Sequence, residues 1–449
     1  MSQNTAVMEA VESLDYRVTV GDVAAKSGLE LAVAQQQLNA LAADTLAHLQ
    51  VSEAGEIAYE FPKGFRAILR NKYWRLRWQQ TWEKIWGVLF YLIRISFGVL
   101  LLLSILLIMV AIAIILIALS ASQRDDDRGG GGGFGGGGLM FVPRFWIGDL
   151  YWLFNYDRYG RRAPRRVNQR PNQRSNRRGQ RNDDDMNFLE AIFSFLFGDG
   201  DPNAELEDRR WREVGAVIQN NGGAIAAEQV VPYLDDVGKD WTTADEDYIL
   251  PVLTRFNGVP EVSPKGEIIY HFPELQVTAQ DRKRSAVAAY LKETPQKFSE
   301  ASSGQITGAI ALGVVNFIGA IFLGTLLQDQ AMVAELGGLV AFVSAIYWLL
   351  LGYGAAFLGI PAVRYFWTQR QNKQIAQRNE SRQDRAIALN SVTPALDEKI
   401  DFARQFAAQT VVDQADLAYT SAKDLTEQEY EQRDKLDAEW QKRLENGTD

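Results

Sequence analysis

Val51–Pro62 reads VSEAGEIAYEFP and Val262–Pro273 reads VSPKGEIIYHFP, and the two stretches agree at Val, Ser, Gly, Glu, Ile, Tyr, Phe and Pro in one register. Self-similarity of this kind marks a duplicated module. In the first copy Ile57, Tyr59 and Phe61 alternate with Ala58 and Glu60 after Gly55, the pattern of a hairpin with one buried face. Ahead of it, residues 7–14, 22–28 and 29–46 have helical spacing, with Leu31, Ala34, Leu38, Leu41 and Ala42 on one stripe, and Val18–Val20 reads as a brief strand. Helix, strand, two helices and a hairpin predict a winged-helix-like module over 1–62. The second module, 205–275, repeats the order: a helix over 211–220, a short strand at 222–225 and a helix over 228–234. A further helix is opened by the capping box Thr243-x-x-Glu246 and is expected to kink at Pro251.

A winged helix suggests nucleic acid, and the charges argue against it. The stretch Glu30–Asp44 contains no Lys or Arg, and its counterpart sets Asp245, Glu246 and Asp247 against Arg255. Phosphate contacts supply most of the affinity for DNA, and these helices repel a phosphate backbone. Protein contact is the stronger reading for both modules, with a folded spacer as the plain alternative.

The membrane signal is strong. Basic residues interleave with Phe65, Tyr73, Trp74, Trp78 and Trp82 over 63–84, a composition suited to the headgroup layer and expected to form an interfacial helix. The run 85–120 is broken only by Arg94, and Phe97–Leu119 is uncharged and exceeds the roughly 20 residues that cross a hydrocarbon core. A basic connecting helix over 276–305 is expected to lead into a transmembrane hairpin over 306–361, divided by a loop holding Asp329 and Glu335. Ala309, Gly313, Ala320 and Gly324 line one face of its first arm; Gly337, Ala341, Ala345, Gly352 and Ala356 recur along the second, spacings that favour close helix approach. Asn316 in the first arm reads as an interhelical hydrogen bond ahead of a transport site.

Lys292 and Lys297 before the hairpin, and Arg364, Arg370 and Lys373 after it, place both its ends in the cytoplasm. A single span at 85–120 would separate the two modules across the membrane. Their common origin favours one compartment, so a tight hairpin is set beside the single span as a reading of 85–120.

Between these elements, 121–187 is a glycine-rich and arginine-rich linker expected to be largely disordered. It holds the glycine tract around Phe134, an aromatic patch over Phe141–Tyr156, and a run rich in arginine over Arg158–Arg181. No Gly-Lys-Ser/Thr follows the glycines, so they are read as a flexible linker and not a phosphate cradle. The arginine run could meet anionic lipid, RNA, an acidic protein or the acidic modules of its own chain. An apolar helix over 188–200 is expected to dock the second module against the membrane. Residues 362–449 are read as a helical acidic tail, basic and helical to Asn390, broken at Pro394, then a long helix with Leu436, Trp440 and Leu444 weakly spaced.

The chain has no Cys, which removes disulfides, thiolate metal sites and cysteine nucleophiles. Its two histidines, His48 and His271, fall on the hairpins and are too few for a His-based metal cluster. No catalytic, cofactor-binding or metal-ligating residue is expected, and no cofactor. The net charge of −9 averages acidic and basic blocks and describes no single surface.

The segment FLEAIFSFLFGDGDPN, Phe188–Asn203, together with the paired hairpin motifs, resembles an uncharacterised membrane-protein family of cyanobacteria and chloroplasts. The resemblance implies a cytoplasmic or thylakoid membrane location. An iron-sulfur biosynthesis role attached to some members has no thiolate here to carry it. The fold class expected is therefore mainly α with small β-hairpins, a multi-pass membrane protein with two winged-helix-like repeats. Its partners are the lipid bilayer and proteins of unspecified identity, with the modules and C-terminus on the cytoplasmic side. The function expected is a non-enzymatic membrane scaffold or assembly factor. The alternatives are a membrane-tethered nucleic-acid-binding regulator using the arginine run, and a small transporter subunit.

Overall fold

The structure, a computed structural model, describes residues 3–72, 74–125, 186–235, 237–238, 246–281, 284–391, 394–413, 417–428, 430, 433, 437 and 440–441. The linker over 126–185, with its glycine tract, aromatic patch and arginine run, lies outside them, as do Thr243, Leu436 and Leu444. The fold is mainly helical with small sheets, and the chain divides into two compact units. The first comprises 1–80, 202–295 and 373–449; the second comprises 81–201 and 296–372.

In the first unit the chain opens with α1 (Gln3–Ser13), β1 (Arg17–Val18), α2 (Val20–Ser27), α3 (Leu31–Thr45) and the hairpin β2 (His48–Ser52) and β3 (Ile57–Glu60). Thr19 is the N-cap of α2, not part of a strand: its hydroxyl accepts from the Asp22 amide, and the Asp22 carboxylate accepts from the Thr19 amide. This capping box starts the helix, and Gly28 ends it in the left-handed region. The later segment follows the same succession. Helix α7 (Leu206–Asn220) precedes β4 (Ala224–Ile225), a 3₁₀ turn at Ala227–Tyr233, a second at Asp247–Ile249 leading into α8 (Leu250–Phe256), and the hairpin β5 (Val259–Val262) and β6 (Ile268–His271). Pro251 sits in the first turn of α8, where its missing N–H costs nothing, so the expected kink is absent. The expected helix over 228–234 is tightened to 3₁₀ form, with Pro232 inside it.

Both hairpins build sheets in the same order, β1-β3-β2 and β4-β6-β5, but only the first is extended, by β9 (Leu417–Thr420) pairing antiparallel on β2. The repeat itself explains the difference. Leu49 points its backbone to the outer edge, donating to the Ser421 hydroxyl and accepting from the Ser421 amide. Its counterpart in the aligned motifs is Pro260, which has no N–H to donate. The C-terminal segment is therefore not the expected long helix: α14 (Pro394–Gln405) gives way to β8 (Thr410–Val411), parallel to β7 (Val277–Thr278), and then to β9.

One core joins the two segments. Val7, Val11, Val23, Leu38, Phe61 and Phe65 lie in the same buried cluster as Val214, Ile218, Val230, Phe256 and Phe272. Two close approaches of α2 need glycine: a Cβ on Gly215 of α7 would stand 2.9 Å from the Ala25 Cα, and one on Gly21 1.9 Å from the Glu274 carbonyl oxygen in α9 (Pro273–Gln276). Polar contacts lock the same joint. The Thr19 hydroxyl donates to the Val277 carbonyl at 2.9 Å, Asp22 accepts from the Ala279 amide at 2.9 Å, and Arg17 donates to the Ala279 carbonyl.

Residues 279–281 and 284–302 do not form the expected basic helix but an extended strap. Side-chain amides replace the helical hydrogen bonds along it: Asn220 at Ser285, Asn203 at Thr294, and Asn379 at Glu293. Glu293 is buried, and its carboxylate accepts from Arg378 at 2.6 and 2.7 Å and lies 2.9 Å from Arg382. Burial raises its pKa, but the hydrogen bonds and charges of Arg378 and Arg382 outweigh burial and hold it below the ordinary value. Lys399, also buried, bridges Glu228 at 2.8 Å and Glu246.

In the second unit, three helices are long and apolar enough to cross a membrane: α5 (Trp74–Asp125) over Lys84–Ser120, α10 (Ser303–Leu326) and α13 (Tyr347–Asn390). Helix α5 is uninterrupted, so the tight hairpin considered for 85–120 is not formed, and the interfacial segment from Trp74 belongs to the same helix. The expected loop forms α11 (Gln330–Leu336), the second arm is divided into α12 (Gly338–Ala345) and α13, and α13 runs through Pro361 to Asn390. Small residues of α10 do face a neighbour, but the neighbour supplies large ones. A Cβ on Gly313 would meet the Phe357 ring at 2.6 Å, and one on Gly324 the Tyr347 hydroxyl at 2.1 Å. Gly352 and Ala356 are exposed instead. Asn316 accepts from the Ser104 hydroxyl at 2.8 Å, the interhelical bond its sequence context favours.

The apolar helix α6 (Phe188–Phe197) is shorter than the expected 188–200 and packs within this unit, where Ile192, Phe195 and Leu196 join Leu101, Ala309 and Phe357. Its C-terminal carbonyls are capped by Arg364, which donates to Ser194 and Phe195. Asp199 accepts from Arg94 at 2.8 Å and from the Glu300 amide at 2.8 Å, so the one arginine that interrupts the apolar run is paired.

Two predictions follow from the joint and the strap. Asp22→Ala removes a capping box and orphans the Ala279 amide, and denaturant titration of the solubilised protein should show a loss of about 2–3 kcal/mol. For Glu293, a lowered folded pKa means stability that is full above about 4.5 and is lost as pH falls through the depressed value. Glu293→Gln should cost about 3 kcal/mol at neutral pH and remove that part of the acid limb in a series of melting curves.

Candidate interaction surfaces and a polar cleft

Helix α3 immediately precedes the first hairpin and turns one face outward. Here it exposes Ala32, Gln35, Gln36, Asn39, Ala40 and Ala43, an uncharged surface of amides and methyls. Such a face gives phosphates no counter-charge and a protein partner no charge to desolvate. In the later segment the helix in the equivalent position, α8, is only seven residues long, and its Arg255 is engaged inside the unit: it lies 4.2 Å from the Trp211 ring and donates to the Gly28 carbonyl at 3.2 Å.

The histidines stand where the sequence places them. His48 is exposed on β2; His271, on β6, stacks on the Phe406 ring at 6.0 Å and lies 3.5 Å from Glu261.

A cleft of about 1070 Å³ opens in the first unit where α7, the end of α2, β7, the strap and the C-terminal segment meet. Helix α7 gives it a polar stripe, since Arg212, Glu213, Ala216, Gln219 and Asn220 share one helical face while Val214, Gly215 and Ile218 face the core. Three polar atoms of the wall are buried and unpaired among the described residues: Glu213 Oε2, Gln219 Nε2 and Thr278 Oγ1. Thr278 is 5% exposed. Burial pushes the Glu213 carboxyl above its ordinary pKa, against the opposing pull of Arg209 and Arg212. Around these groups stand Lys26, Arg212, Arg284 and Arg404, four cations to the one carboxylate of the lining. Arg404 pairs with Asp401 at 2.6 Å, and Arg212 reaches Glu205 only at 3.9 Å. Among the described residues neither Lys26 nor Arg284 is paired with a carboxylate.

None of this cleft was predicted from sequence. The stripe on α7 is visible as a polar helix face, but such a face is ordinarily solvated; its enclosure depends on chain segments nearly four hundred residues apart.

No family model and no solved structure matches the chain. It is 38% identical over 436 residues to the Arabidopsis thaliana protein described as Uncharacterized protein At5g03900, chloroplastic, an alignment covering 94% of this chain and 80% of the relative. With that identity over nearly its whole length, the chain belongs to the family of this chloroplastic protein.

Proposed function

We propose that the protein is a non-enzymatic integral membrane scaffold or assembly factor. Its two winged-helix-like modules, products of an internal duplication, form one head on the cytoplasmic side of a cytoplasmic or thylakoid membrane. The observation that carries this reading is the uncharged exposed face of α3 on a head joined in sequence to three membrane-length apolar helices. A surface of Gln, Asn and Ala suits a protein interface and not a phosphate backbone.

The membrane assignment rests on physical dimensions. Ser303–Leu326 is about 36 Å long and crosses a hydrocarbon core of about 30 Å. On α13 the exposed Trp348 and Trp367 are separated by about 28 Å of helix, the spacing of two interfacial aromatic belts. The chloroplastic relative supports a plastid-type membrane among the candidates. The shared core of the two modules supports one compartment for both.

Two measurements test the reading. Single cysteines at Gln36 and Lys265, both exposed and introduced into a chain with none, should react alike with an impermeant thiol reagent in sealed vesicles. Opposite labelling sinks the single head. The paired substitution Gln36→Arg with Ala40→Arg, on the exposed α3 face, should reduce the protein crosslinked in native membranes by about tenfold or more, since two buried unpaired charges cost over 1.4 kcal/mol. A chain that stays alone after crosslinking overturns the scaffold.

A further inference from the structure

We propose that the outer edge of β2 is a docking site for an extended, positively charged segment of a partner protein, and that β9 is a built-in guard which such a segment displaces. The inference rests on the scaffold reading for the existence of a partner, and adds an edge separate from the α3 face together with a contact that holds it closed.

The edge is competent to receive a strand. The backbone of Leu49 faces outward, donating to the Ser421 hydroxyl at 2.9 Å and accepting from the Ser421 amide at 2.9 Å. Main-chain hydrogen bonds of this kind hold an added strand whatever its sequence. Leu46, Leu49 and Ile57 are exposed along the hairpin and offer apolar contacts to alternate residues of an incoming strand. In the second hairpin Pro260 occupies the position of Leu49 and closes it.

The guard fills this edge imperfectly. β9 has four residues against the five of β2, and its register breaks between Val51 and Ser52, with Tyr419 opposite Val51 and Leu417 opposite Ser52. It buries little of itself, since Tyr419 is 41% exposed. What favours it is attachment to the same chain, which supplies an effective concentration of about 1 mM. A separate strand in unbroken register displaces it by gaining more from the edge than the tail does.

Charge selects the competitor. Residues 27–62 contain Glu30, Asp44, Glu53, Glu56 and Glu60 and no Lys or Arg, and the tail over 413–428 sets Asp413, Asp416, Asp424 and Glu427 against Lys423. The guard therefore brings an acidic segment to an acidic module. Buried Arg17 offsets Glu60 and Asp413. At the hairpin turn Glu53 is exposed, and burial and the nearby Glu274 push the Glu56 carboxyl up, as happens where positive charge is short. A strand running antiparallel to β2 brings its N-terminal end to this turn, as β9 does with Leu417 opposite Ser52. Lysine or arginine just ahead of such a strand meets Glu53 and Glu56.

The test uses the full-length chain in detergent, with fluorescent peptides followed by anisotropy at low salt. The probes are the native peptide 413–424, the segment 417–424 preceded by a run of lysines, and the same segment preceded by a run of glutamates. Tyr419→Pro disables the guard and should raise affinity for the lysine peptide about tenfold or more over the unsubstituted chain. The glutamate peptide should bind about tenfold more weakly than the lysine peptide. Glu53→Lys with Glu56→Lys should reverse that order, a change that misfolding cannot produce. Leu49→Pro, which copies the second hairpin, should remove binding in the Tyr419→Pro background, and Leu49→Ala should keep it.

Equal affinity of the lysine peptide for the Tyr419→Pro and unsubstituted chains overturns the guard. Absence of saturable binding to Tyr419→Pro, or binding indifferent to Leu49→Pro and to the charge reversal, overturns the docking site. A native peptide that binds as tightly as the lysine peptide assigns the edge to the tail of a second copy and overturns the basic partner. Peptides that fail while partners still crosslink in native membranes sink the edge and leave the scaffold; peptides that bind while the chain crosslinks to nothing sink the scaffold and leave the edge as a site.

Discussion

The first unit depends on one buried joint, in which Thr19 and Asp22 cap α2 and at the same time hold residues 277–279. Asp22 is fully buried, and its Oδ2 accepts from two amides, that of Thr19 at its own helix start and that of Ala279. A carboxylate in this position is stabilised by a helix N-terminus as well as by hydrogen bonds. Gly21 and Gly215 let backbone meet backbone or Cα on either side of it. Because the joint uses helix α2, the first module has α3 and its hairpin left as outward surfaces, and the cleft forms at the joint's edge.

The second unit solves a different problem, that of placing polar groups among apolar helices. Arg94 is paired with Asp199, Arg364 caps the end of α6, and Asn316 is bonded to Ser104. Each bond satisfies part of a polar group that hydrocarbon would otherwise penalise by several kcal/mol. Packing proceeds by complementarity of size, with Phe357 and Tyr347 of α13 filling the room left by Gly313 and Gly324 of α10.

The two hairpins differ at their outer edges. The first hairpin is covered by β9 from the C-terminal segment, and the second ends on β5 with Pro260 at the outward position. Proline is a common guard of a sheet edge because it cannot donate to an incoming strand. One substitution in the repeat thus separates an edge that recruits the tail from an edge that repels strands.

Local chemistry was legible in the residues themselves. The repeated motif located both hairpins, apolar periodicity located α2, α3 and α7, and uninterrupted hydrophobicity located the three long helices, since each rests on neighbours within a few residues. The glycines and alanines of α10 likewise announced a close helix contact. Whatever depended on distant partners was decided by the tertiary structure. The strap over 284–302 abandons helix because Asn203, Asn220 and Asn379, far away in sequence, supply its hydrogen bonds. The tail becomes strand because Leu49 offers an open edge, and the small residues Gly352 and Ala356 stay exposed because Phe357 makes the contact. The cleft belongs to the same category: its polar stripe is encoded locally on α7, but only the packing of segments from both ends of the chain turns an ordinary wet helix face into an enclosed floor with unpaired donors and acceptors.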